Sequence, residues 1–128
     1  MLKKIIVLFT MFYMTMPLFG ISDEDSNIST IRKKIQQIKQ HIRSDQPLKN
    51  NPLEDINFSS FASRSHLYYY RALAYLNLAN NITTKQKVTY LNNAVHNLKR
   101  SLEAPYANKM RVNPLLKKIQ KELIKTAS

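Results

Sequence analysis

Three histidines, His41, His66 and His96, are the side chains best suited to bind a metal or pass a proton near neutral pH. No two of them share a ligand-like spacing, and acidic residues are scarce in the half that holds two of them, so no metal site is expected. The carboxylates Glu54, Asp55, Glu103 and Glu122 show no spacing that would match an acid with a base. Serines are plentiful, but none lies in a strand-turn-helix context that would activate its hydroxyl. The chain has no Cys, which removes disulfides, thiolate metal sites, a thiol nucleophile and a lipid-modified amino terminus. Its single glycine is Gly20, so glycine-rich phosphate loops and nucleophile elbows are excluded. Tyr68, Tyr69 and Tyr70 beside Arg64 and Arg71 could offer stacking surfaces to nucleic acid bases. Successive residues of a helix point about 100° apart, so the three rings make no flat platform. The expectation is a non-enzymatic protein with no metal and no cofactor, and nucleic acid is disfavoured as a partner.

What remains is charge, and it is unevenly spread. The full chain carries 20 Lys and Arg against 8 Asp and Glu. From Asp23 to Ser63 there are 6 basic and 6 acidic residues, whereas Arg64 to Ser128 holds 12 basic and 2 acidic ones. Such asymmetry predicts attraction to an anionic surface. The residues expected to form it are Lys109, Arg111, Lys117, Lys118, Lys121 and Lys125.

The amino-terminal segment has the anatomy of an export signal. Lys3 and Lys4 precede an apolar run from Ile5 to Phe19 that is shorter than a membrane span needs and is broken by Pro17. Cleavage is expected after Ser22, or alternatively after Gly20, leaving residues 23–128 as one helical domain. The expected location is the periplasm or cell envelope of a bacterium, with an uncleaved membrane anchor as the alternative.

A chain of 128 residues with no glycine beyond the signal is expected to be all-α, with about four helices after the signal helix. Ile31, Ile35, Ile38 and Ile42 alternate at spacings of four, three and four, which predicts an amphipathic helix over residues 29–43 capped by Ser29 or Thr30. Residues 44–60 contain Pro47, Pro52 and several Asn and Asp, and read as a loop held against the core by Leu48, Leu53, Ile56, Phe58 and, just beyond it, Phe61. Residues 61–81 have almost no polar face, which requires a helix covered on more than one side. Val88, Leu91, Val95, Leu98 and Leu102 mark a helix over 84–104, capped by Thr83 or Thr84. Only about four residues link these two helices, so they should form an antiparallel hairpin. A last, basic helix is expected over 114–126, with Asn113 as its cap and Pro114 in its first position.

The central hairpin resembles a tetratricopeptide repeat. In the first helix Tyr68 stands at the bulky aromatic position, Ala72 at the small one, Tyr75 at the second aromatic and Ala79 near the turn. In the second, Ala94, Leu98, Ser101 and Pro105 are close to the small, bulky, small and proline positions. The departures are Arg71 in place of Leu, Ala79 in place of Gly, Pro105 one residue early, and an interval between the halves about ten residues longer than the repeat's 34. The resemblance implies a small antiparallel helical-hairpin array that binds a partner in a groove lined by Tyr68, Tyr69, Arg71, Ala72 and Tyr75. The expected partner is another envelope protein or a second copy of the chain. The alternative is a basic surface that binds anionic lipid or cell-wall polymer through the six cations named above.

Overall fold

A computed structural model describes residues 23–83 and 85–127, with side chains from Ile28 to Thr126. The expected signal, 1–22, and Thr84 as a cap lie outside the described residues. These residues are all-α: the helices are α1 (Asp23–Arg43), α2 (Arg64–Asn80), α3 (Lys85–Glu103) and α4 (Lys109–Ala127), with no strand among them. None is long and apolar enough to cross a membrane.

The chain divides into two units inside α1, after Lys33. Of the first, the described part is the opening turns of α1, in which Ile31 is buried. Helix α1 starts six residues earlier than its isoleucine period implied, because no Gly or Pro between Asp23 and Ser29 stops it. Ser29 and Thr30 therefore lie inside the helix and do not cap it. Farther along, in the second unit, Ile35 and Ile38 are buried, whereas Ile42 is 44% exposed. The helix stops at a turn in which the Asp45 amide donates to the Ile42 carbonyl (3.2 Å) and the Gln46 amide to the His41 carbonyl (2.8 Å). That pattern calls for a left-handed residue, and in a chain whose single glycine is Gly20 Asp45 takes it, at φ 54°.

In the second unit α2 and α3 are antiparallel, as three pairs in register show: Ser65 with Ser101, Tyr68 with Arg100, and Tyr75 with Tyr90. Ala72, Ala74, Ala79 and Ala94 are fully buried, and with no bulk beyond Cβ they let helices approach closely. Leu91 and Leu98 are also fully buried, each contributing about 2 kcal/mol. The hairpin is locked at its open end by two serines. The Ser65 hydroxyl donates to the Ser101 carbonyl and the Ser101 hydroxyl to the Ser65 carbonyl, both at 2.7 Å. The Ser101 carbonyl belongs to the last turn of α3, so this bond serves an acceptor that no helix amide reaches.

Helix α4 departs furthest from expectation. It begins at Lys109, and its cap is Asn108, whose side-chain oxygen accepts the Arg111 amide at 3.2 Å. Pro114 lies inside the helix and Asn113 is not a cap. Pro114 cannot serve the Met110 carbonyl, and Met110 is 90% exposed, so water can take that place. Val112 and Ile119 anchor the inner face of α4.

Candidate functional site

Each residue of the expected partner groove lies on α2, and the structure shows what already occupies that face. Residues 46–61 run back along α2 as a strap. At one end the Leu48 amide donates to Asn77 Oδ1 at 2.7 Å, and Asn77 Nδ2 donates to the Gln46 carbonyl at 3.0 Å. At the middle, buried Asn51 donates to the Arg71 carbonyl at 3.1 Å and accepts the Leu53 amide at 3.0 Å. Arg71 answers from α2: its Nε donates to the Leu53 carbonyl at 2.9 Å and its Nη2 to the Ile56 carbonyl. Its guanidinium lies 4.0 Å over the Phe58 ring, and Phe58 meets Tyr68 edge to face at 5.3 Å. Leu48, Leu53 and Phe58 are buried, as their apolar character required.

Four of the five groove residues, Tyr68, Arg71, Ala72 and Tyr75, are therefore taken up by the chain itself. Tyr68, Ala72 and Tyr75 are buried, and Arg71 is half-buried. Burial draws the Arg71 guanidinium below its ordinary pKa. Tyr75 reaches Glu54 of the strap at 3.4 Å; its burial, and then the Glu54 charge, push its hydroxyl above the usual tyrosine value. Tyr69 is half-buried on another side, beneath the Arg111 guanidinium at 3.8 Å from the ring. Burial raises its hydroxyl pKa, and the Arg111 charge acts against that rise.

The six cations of the expected anionic-surface site all belong to α4. Lys109, Lys117, Lys118, Lys121 and Lys125 are exposed. At 100° per residue, Met110, Lys117 and Lys121 project directly away from the side carrying Val112 and Ile119. Arg111 differs from the five lysines: besides covering Tyr69 it reaches His66 Nδ1 at 3.4 Å, and its Nε is buried with no hydrogen-bond partner among the described residues. Lys87 pairs with Glu122 at 3.4 Å, the only ion pair among the described residues.

The three histidines stay apart, on α1, α2 and α3, and no metal-holding group of His, Cys, Asp or Glu occurs among the described residues. A cleft of about 470 Å³ opens where the strap, the start of α2 and the end of α3 meet, with Arg64, Lys99 and Arg100 in its lining. The role of Arg71 and this cleft were both missed by sequence reasoning. A signal for the former was present, since a charge in the middle of an otherwise apolar helix must find polar partners if the helix is covered. No protein-family model, no curated protein and no solved structure matches the chain.

Proposed function

We propose that the chain is an exported, non-enzymatic interaction module, a degenerate tetratricopeptide-like helical array of the bacterial envelope, and that it docks an acidic partner protein through α4. The observation that carries this reading is the outward side of that helix. Five lysines are exposed along the helix, Lys117 and Lys121 on its outward side, and of the two acids nearby Glu122 of the same helix is engaged with Lys87 and Glu103 belongs to α3. Lys109 and Arg111 also stand in the first turn, where the helix dipole is positive and no acid offsets them. Such an arrangement weakens the isolated helix and strengthens its attraction for anions. The aromatic row of α2 is occupied by the strap, so the partner surface is assigned to α4 and Tyr69 at its edge rather than to Tyr68, Arg71, Ala72 and Tyr75. Export rests on Lys3, Lys4 and the apolar run that follows them.

Affinity capture of the chain from envelope extract tests this reading. A stoichiometric acidic protein should be retained at about 50 mM salt and released at about 500 mM, because exposed charges are screened within roughly 10 Å at 0.1 M. The triple variant Lys117→Gln, Lys121→Gln and Lys125→Gln should retain at least tenfold less. A monomer that captures nothing, or a capture indifferent to these lysines, counts against it.

A second reading, docking to anionic lipid, is favoured by Met110 and Ile124, which are 90% and 68% exposed among the lysines. Apolar and basic side chains mixed on one outward side are what an interfacial helix presents. Sedimentation with phosphatidylglycerol vesicles, without any protein partner in the capture, would select it.

A further inference from the structure

We infer that the cleft between the strap, the start of α2 and the end of α3 binds a phosphomonoester, the phosphate group being held by Arg64, Lys99 and Arg100. The donors of this cleft are already oriented. Arg100 Nε donates to His96 Nε2 at 3.0 Å, and Arg100 Nη1 lies 3.5 Å from the Tyr68 hydroxyl. These two bonds fix the guanidinium plane and leave three of its five N–H groups for a ligand. Arg64 Nη1 donates to the Phe61 carbonyl at 3.0 Å, which fixes a second fork. Because His96 Nε2 accepts from Arg100, the neutral ring carries its proton on Nδ1 and is itself a donor. The Tyr68 oxygen accepts from Arg100, so its own proton is also free to donate. The cleft thus converges N–H and O–H groups from two helices.

Its charge asks for a dianion. Arg64, Lys99 and Arg100 bring three positive charges, and Glu103 at the lining brings one negative. None of the three cations is paired with a carboxylate among the described residues. Arg71 adds to the same field from behind, since its guanidinium and that of Arg100 each lie 5.8 Å from the Tyr68 ring. A phosphomonoester carries about −1.5 to −2 charges at neutral pH, which matches that balance, and each of its three terminal oxygens can accept from more than one of these donors. A carboxylate would leave a charge uncompensated. At about 470 Å³ the cleft is much larger than a phosphate group and falls within the size range of small-molecule sites, so it has room for the organic part of the ester.

Calorimetric titration of the full chain with glucose 6-phosphate, inorganic phosphate and glucose tests the site. The ester should bind saturably and more tightly than inorganic phosphate, and glucose should not bind. Lys99→Gln and Arg100→Gln should each weaken the ester about tenfold, whereas Lys125→Gln on α4 should leave it unchanged. The Lys99 side chain is exposed and has no hydrogen bond or ion pair among the described residues, so K99Q remains informative even if R100Q disturbs Tyr68. Vesicles of phosphatidic acid in phosphatidylcholine form a second arm. Vesicle binding that K99Q abolishes supports the site with a lipid as the source of the phosphate, and ester binding without vesicle binding supports it with a soluble source. Absence of saturable binding by every phosphate probe below about 10 mM, or K99Q and R100Q binding as the unsubstituted chain does, overturns the inference.

Discussion

At the scale of single residues, Arg71 shows how one charge can decide the use of a whole face. It donates to two strap carbonyls and covers the Phe58 ring, so the strap and α2 share one set of bonds. Leucine, the residue a tetratricopeptide repeat prefers there, would fill similar space and satisfy neither carbonyl. Leaving a part-buried acceptor without a donor costs about 1–3 kcal/mol, so Arg71→Leu should lower stability by about 3 kcal/mol. Denaturant titration measures that loss, and limited proteolysis should place the first new cut between residues 46 and 61. A variant as stable as the original would mean that Arg71 does not hold the strap. The sequence marks Arg71 as a departure from the repeat, yet nothing local says which carbonyls it will meet. Leu53 and Ile56 lie 18 and 15 residues away, beyond the reach of any periodicity.

At the scale of elements, the hairpin was legible because α2 has almost no polar face, α3 repeats its apolar residues at three and four, and only four residues link them. The start of α4 was not. Asn113 followed by Pro114 imitates a cap and first position, while the true opening, Lys109–Arg111, has no apolar repeat to reveal it. The reciprocal serine pair was also hidden, since Ser65 and Ser101 look like ordinary polar residues until the helices are laid side by side. Their burial makes them consequential: Ser101 is 1% exposed. Ser65→Ala leaves the Ser101 carbonyl without its donor and should cost about 1–2 kcal/mol. Ser101→Ala should cost less, because the Ser65 carbonyl also has a helix amide available within α2. Thermal unfolding of the two single variants and the double variant gives the coupling directly. Equal and additive losses would mean that the pair does not act as a unit.

At the scale of the whole molecule, positive charge gathers where helices begin: α2, α3 and α4 all lack an acid in the first turn. His66 registers that field. Its ring meets Tyr70 at 4.6 Å, Arg111 of α4 approaches its Nδ1, and partial burial, then the charges of Arg111 and Lys39, hold its pKa below the ordinary 6.5. An unfolded chain takes up this proton near pH 6.5, whereas the folded one resists until the pH is lower. The stability His66 allows is therefore fully present above about pH 6.5 and declines as pH falls through that value toward the folded pKa. The melting temperature should drop through this window more steeply for the original chain than for His66→Gln. Parallel curves would show that the field at His66 is too weak to matter.

The direction of the strap has a further consequence. Gln46 lies beside Asn77 at the far end of α2, and the chain must return to Arg64 to begin that helix. Helix α2 has 17 residues and is about 25 Å long, whereas the 20 residues between α1 and α2 could extend roughly 65 Å. Reach alone would need fewer than half of them, so the surplus serves as upholstery: a connector trimmed to the minimum would still bridge the gap, and it would strip Tyr68 and Tyr75 of the cover that Phe58 and Glu54 give them.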